Sequence, residues 1–113
     1  MNDSILLSIK KLIGITQSDT NFDTDLIIHI NSVFSILHQL GIGPVDGYKI
    51  EDSNNEWNEF IDDEDKLDSV KTYVYLKVKL VFDPPLNGAL MESFKETIKE
   101  LEWRLNVTGE SIK

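Results

Sequence analysis

The residues able to do chemistry are few, and their spacing assembles none of the usual catalytic or metal-binding patterns. His29 and His38 are the two histidines. They lie nine positions apart, roughly half a turn out of phase on a helix, whereas two histidines that share a zinc ion from one helix sit four apart. They read as ordinary polar-edge side chains. The absence of cysteine excludes disulfides, cysteine-ligated zinc and thiol catalysis, and suits a reducing compartment. Asp19, Asp23 and Asp25 do not follow the EF-hand pattern, and neither does the run Asp62 to Asp65. The sequence has no glycine-rich phosphate loop and no serine, histidine and acid spacing of a hydrolase. Its carboxylates could in principle supply an acid–base pair, but Asp and Glu mostly belong to solvated surface. The expectation is a protein that is not an enzyme, with no cofactor and no metal.

What the chain has in excess is negative charge. Twenty acidic residues stand against 11 basic ones, for a net charge of −9. Such a surface repels phosphate backbones, so sequence-independent binding to duplex DNA is not expected. The charge gathers in residues 51–65, where Glu51, Asp52, Glu56, Glu59, Asp62, Asp63, Glu64 and Asp65 occur with no lysine or arginine. A block of like charges is first of all a solvated loop. It would also serve as a surface that must not hold DNA, such as the wall of a DNA conduit. A third reading is an acidic regulatory module that mimics DNA and blocks a nucleic-acid enzyme.

The elements that must position these residues fit one domain spanning 1–113. The N-terminus lacks the basic start of a signal peptide, and Lys10 and Lys11 interrupt its apolar stretch. No run approaches the ~20 apolar residues that cross a bilayer, so a soluble protein without a membrane partner is expected. A first helix is predicted over 4–13, capped by Asp3 or Ser4 and ended by Gly14, with Ile5, Leu6, Ile9, Leu12 and Ile13 on one stripe and Leu7 off it. A second is predicted over 24–40, capped by Asp23 or Thr24 and stopped by Gly41, with Leu26, Ile27, Ile30, Val33, Phe34, Leu37 and Leu40 on one broad face. Residues 41–53, with Asp46-Gly47 at their centre, suggest a hairpin or an extended excursion. Trp57, Phe60 and Ile61 then suit a short helix within 54–61.

Residues 66–82 fit two patterns. As a helix they carry one stripe of Leu67, Val70, Val74, Val78 and Val81 and a second of Tyr73, Leu76 and Leu80. As a strand they alternate from 72 to 82 and are rich in β-branched and aromatic residues. A lone strand of that length needs partners that the rest of the chain does not offer, which favours the helix. Asp83-Pro84-Pro85 ends the segment. A last helix opens at Asn87 or Gly88 and runs to about residue 106. Its stripe is Leu90, Met91, Phe94, Ile98, Leu101 and Leu105, with Glu100 and Arg104 paired and Trp103 well off the stripe. Trp103 is either covered by the chain's own loop or offered to a neighbour. Residues 107–113 read as a frayed tail. The fold class is therefore mainly α, a small bundle of four main helices plus a short one, with the excursion near 41–53.

The order of these pieces resembles the head–tail connector (adaptor) proteins of long-tailed bacteriophages and prophages of Gram-positive bacteria. The likeness rests on Lys11-Leu12-Ile13-Gly14, on Phe22-Asp23, on Ile30-Asn31-Ser32-Val33-Phe34 and on Leu40-Gly41-Ile42-Gly43. It continues through Trp57, the run Lys71 to Val78, Phe82-Asp83-Pro84-Pro85, and Glu100 to Leu105. These are structural features and not a chemical fingerprint.

The resemblance implies a compact helical bundle, with 66–82 helical. It also implies a ring of copies beneath the portal that extends the DNA channel and docks a stopper or tail-completion protein. The location would be the virion's head–tail interface, after synthesis in the bacterial cytoplasm. Each copy would then present two different patches to its two neighbours. The candidate subunit or portal contacts are Leu7, Tyr73, Leu76, Leu80, Trp103 and Arg104, on the premise that they lie outside the bundle's interior. Their other reading is the chain's own core, which for Leu76 and Leu80 is the preferred one. The acidic residues of 51–65 are the candidate DNA-repelling surface.

Overall fold

The structure, a computed structural model, describes residues 4–112, with the backbone alone for 108–112. Helix α1 (Ile5–Ile13) begins where the Ser4 hydroxyl accepts the Leu7 N–H at 3.2 Å. It ends at Gly14, whose φ of 100° lets its N–H turn back to the Lys10 carbonyl. Asp3, the other cap suggested by the sequence, lies outside the described residues.

The residue that anchors α1 is Lys10, which is wholly buried. Its ammonium donates to the carbonyls of Gln17 at 3.1 Å and Asp19 at 2.6 Å, and to Asp23 Oδ1 at 2.8 Å. An ammonium has three donors, and a buried one is tolerated only when they are satisfied. The loop after Gly14 wraps over this charge for that reason. Helix α2 (Asp23–Gln39) consequently starts without the expected cap. Phe22 holds the N-cap position and makes no side-chain cap bond, while Asp23 is the first helical residue and spends its carboxylate on Lys10. The helix N-terminus still favours that negative charge.

Beyond α2 the chain takes the extended form of the excursion. The side chain of Asn31 clips it to the helix, accepting the Ile50 N–H at 2.8 Å and donating to the Ile50 carbonyl at 3.0 Å. The strand-like pairing found among the described residues is one isolated bridge, Ser4 with Glu56. Phe34 gathers the rings of Tyr48, Phe60 and Trp57 at 5.3, 4.6 and 6.3 Å. Trp57 opens the short helix α3 (Trp57–Phe60) and donates its indole N–H to the Ser8 hydroxyl at 3.2 Å. Gly43 sits tightly in this cluster. Its φ is 95°, and a Cβ there would run into the Phe60 ring.

Helix α4 (Glu64–Phe82) settles the ambiguous segment in favour of the helix and buries Val70, Tyr73, Val74, Leu76 and Val78. It packs against α1, α2 and helix α5 (Gly88–Ile112). Asn87 caps α5 by accepting the Ala89 and Leu90 N–H groups at 2.8 and 3.2 Å. The helix continues to Ile112, past the end near residue 106 that the pattern suggested. Its stripe is buried at Ile98, Leu101 and Leu105 and uncovered at Leu90, which is 46% exposed. The result is the helical bundle expected from the sequence.

Three substitutions test this account. Lys10→Ala removes the buried ammonium from three acceptors and should cost about 3 kcal/mol of unfolding free energy, against about 1 kcal/mol for Asp23→Asn, which keeps an acceptor. Gly43→Ala combines a forbidden backbone angle with a ring clash and should cost about 2 kcal/mol or more. Urea unfolding followed by circular dichroism measures each loss.

Candidate functional site

The candidate contacts divide between interior and surface. Tyr73 is wholly buried and Leu76 is 6% exposed, so both lie in the chain's own core and not on an outer face. The premise that the second stripe of α4 points outward fails for Tyr73, while Leu76 takes the core position preferred for it, because α4 is covered from more than one direction. Leu80 and Leu7 are half-buried at the edge of the bundle. Trp103 is the large outlier, 68% exposed on α5. Arg104, beside it, bonds Glu100 at 2.6 Å.

Tyr73 has a structural task instead. Its hydroxyl donates to Glu102 Oε2 at 2.7 Å, joining α4 to α5. Burial, followed by the Glu102 carboxylate, pushes its phenol well above the ordinary range. Tyr48 is likewise raised, to about 12, by burial and then by Glu59.

Two surface depressions flank α4. One lies beside α5, where Trp103, Arg104 and Val107 meet Asp65, Lys66 and Ser69 of α4. The other, a groove of about 540 Å³, lies beside α1 and is lined by Ser4, Leu7, Ser8, Lys11, Leu12, Gln17 and Lys71. Leu12, which the apolar stripe assigned to the buried face, is 52% exposed at this groove. Lys71 also places its ammonium 5.7 Å from the Trp57 ring centroid. Ser69 and Lys71 are two residues apart, so about 200° of helix rotation separates the two depressions on α4.

The acidic residues lie where a solvated surface would have them. Glu51, Asp52, Glu59, Asp62, Asp63, Glu64 and Asp65 are exposed and Glu56 is half-buried. Several hold the backbone locally. Asp52 accepts the Asn54 N–H at 2.8 Å, Glu59 accepts the Glu56 N–H at 3.0 Å, and Asp63 accepts the Asp65 N–H at 3.0 Å. The Glu56 N–H and the Asn55 amide hold the Glu59 carboxyl below its usual range. A third depression, of about 440 Å³, places Glu59, Asp62 and Asp63 along one wall with Lys66. Among the described residues no group of three His, Asp or Glu side chains is placed to hold a metal ion. No described helix is long and apolar enough to cross a membrane.

Sequence reasoning missed three contributors. Lys10 looked like a break in an apolar stretch, Asn31 looked like one polar residue on a helix, and the Lys11–Leu12–Lys71 groove needs α1 and α4 side by side. Only the Asn31 position had a signal, its place within the run Ile30 to Phe34.

The raised tyrosines set an alkaline limit. Their stabilising effect is complete below the unfolded phenol value of about 10 and is lost as pH rises through the higher folded values. Unfolding free energy should therefore fall from about pH 10 upward. Tyr73→Phe should cost about 1 kcal/mol at neutral pH and make that alkaline fall shallower, as chemical unfolding at a series of pH values would measure.

No curated protein and no solved structure matches the chain. The family model described as "Phage connector protein" matches residues 5–111, which takes in α1 to α4 and all but the last residue of α5. Connector families are structural components of the virion and are not, in general, enzymes. Thus a chain whose polar side chains build caps, clips and exposed faces belongs to the phage connector protein family, the proteins of the phage head–tail junction.

Proposed function

We propose that this chain is a connector subunit that forms a ring beneath the portal, lengthens the DNA channel and offers the stopper or tail-completion protein a surface to dock on. The observation that carries the assembly reading is Trp103. A tryptophan left 68% exposed by its own chain is the residue type most enriched where interfaces concentrate their energy. Leu7, Leu80 and Arg104 are further contacts at the edges of the same bundle.

The charge supports the channel reading. The carboxylates of 51–65 stand on exposed backbone, and a lumen lined by them repels the phosphates of passing DNA and holds none of them in place. The competing reading, a DNA-mimicking inhibitor, has only this acidic block in its favour and leaves the family membership unused.

Binding has to offset the ordering of loops and long side chains at each new contact. The protein alone should therefore be monomeric or weakly associated, and should form a ring when mixed with its cognate portal. Native mass measurement on the protein, the portal and the mixture tests this. A mixture that contains no complex would remove the proposal.

A further inference from the structure

We propose that the Asn87–Gly88 junction, at the start of α5, is a site of spontaneous covalent modification, where the Asn87 amide is lost to water and the isoaspartate form of the product releases the first turns of the helix. The inference is independent of the ring reading above.

Sequence is the first argument. Among the asparagines of the chain, Asn87 is the one followed by glycine. Amide loss begins when the backbone nitrogen of the next residue attacks the asparagine Cγ. A glycine there has no Cβ to obstruct the approach, and its backbone adopts the ring geometry freely. The Gly88 nitrogen bonds to Cγ, the Cγ–Nδ2 bond breaks, and the Gly88 hydrogen leaves with Nδ2 as ammonia. Water then opens the cyclic imide at one of its two carbonyls. One opening gives aspartate. The other gives isoaspartate, in which the side-chain carbons have entered the backbone.

The local structure is the second. Asn87 and Gly88 are both exposed, and the space that a Cβ on Gly88 would take is empty. Gly88 is the first residue of α5, so no helical carbonyl accepts its N–H and the attacking nitrogen is not held. What restrains the junction is the cap, in which Asn87 Oδ1 accepts the Ala89 and Leu90 N–H groups. Little stands behind that cap. The buried side chains of α5 begin at Ile98, and residues 88–97 are all exposed or half-buried. A helix end with so few buried contacts opens readily, and each opening frees the side chain to react.

Asp46–Gly47 provides a contrast within the same chain. It is the other acid-or-amide residue followed by glycine. There the Gly47 N–H is engaged by the Pro44 carbonyl at 3.0 Å, and a carboxylate is a poorer target for attack than an amide.

The two products differ in effect. Aspartate at position 87 keeps a capping oxygen and adds a negative charge where the helix dipole favours one. Isoaspartate lengthens the backbone by one carbon and takes the capping oxygen out of register with Ala89 and Leu90. The turns that depend on the cap then loosen, next to the exposed Leu86 and Leu90.

The test is to hold the folded full chain in mildly alkaline buffer made with heavy-oxygen water, then to map its peptides by mass spectrometry with fragmentation that separates aspartate from isoaspartate. Conversion is expected at Asn87 ahead of every other asparagine and ahead of isomerisation at Asp46, with one heavy oxygen in each product. Gly88→Ala, at a position with room for the methyl group, should slow it about tenfold or more. Hydrogen exchange over 88–97 should be faster in the isoaspartate fraction than in the fresh protein, and unchanged in Asn87→Asp.

An intact Asn87 in the folded chain, under conditions where the urea-unfolded chain converts, would overturn the proposal by showing that the cap holds the junction shut. Earlier reaction at another asparagine or at Asp46, or a Gly88→Ala chain that converts as fast as the wild type, would overturn it too. Unchanged exchange in the isoaspartate fraction would overturn the release of α5.

Discussion

A helix that is apolar nearly all round cannot be satisfied from one side, and α4 imposes that constraint on the whole chain. Its buried residues Val70, Tyr73, Val74, Leu76 and Val78 point in several directions. In a chain of 113 residues the cover has to come from every other long helix. α2, α1 and α5 each take a share of it. The price of covering one helix so fully is that the covering helices have little left to cover them. The least extent of the molecule is 22 Å, about two helix diameters. The outer faces of α1 and α5 are surface as a consequence, and Leu12 and Trp103 are exposed on them.

The same constraint explains which parts of the fold were legible in the sequence. α2 is covered along one continuous face, so its 3.6-residue periodicity identified the buried Leu26, Ile30, Val33, Phe34 and Leu37, with Ile27 and Leu40 of the same predicted face only partly buried at its margin. α4 was legible only in part. Residues buried on several sides of a helix also alternate acceptably as a strand, and the choice had to come from the lack of strand partners. Reading Tyr73 on its second stripe as outward assumed a single covered face, and the full burial of Tyr73 contradicts that assumption, while Leu76 takes the core position preferred for it. Leu12 fails in the opposite sense. It keeps the periodicity of α1 but lines the open groove beside α4, where the described residues cover only about half of it. Trp57 and Trp103 sharpen the point, since the residue type is the same while one is 1% and the other 68% exposed.

Lys10 lay beyond any pattern. A lysine at the edge of an apolar stripe usually extends its stem and keeps its charge in water. Here its three acceptors come from two loop carbonyls and the first residue of the next helix, which only the folded chain brings together. Its burial also accounts for a cap that was expected and did not form. Asp23 had one carboxylate to use, and an uncompensated ammonium in the core costs more than an N-terminal N–H left to solvent.

Electrostatics set the remaining condition on assembly. In the proposed ring each subunit brings a charge of −9 next to another of the same sign. At physiological salt such repulsion decays over about 8 Å, so carboxylates on opposite parts of adjacent subunits barely sense one another. Charges within a contact sense one another fully, because water and counterions are displaced there. An acidic subunit can therefore associate with its copies only where the local charge is inverted. Lys10 is committed to the core, Lys66 and Lys79 are matched to Asp63 and Asp83 at the two ends of α4, and Arg104 is matched to Glu100 of α5. The carboxylates elsewhere can then keep the surface from holding DNA without preventing the subunits from holding each other.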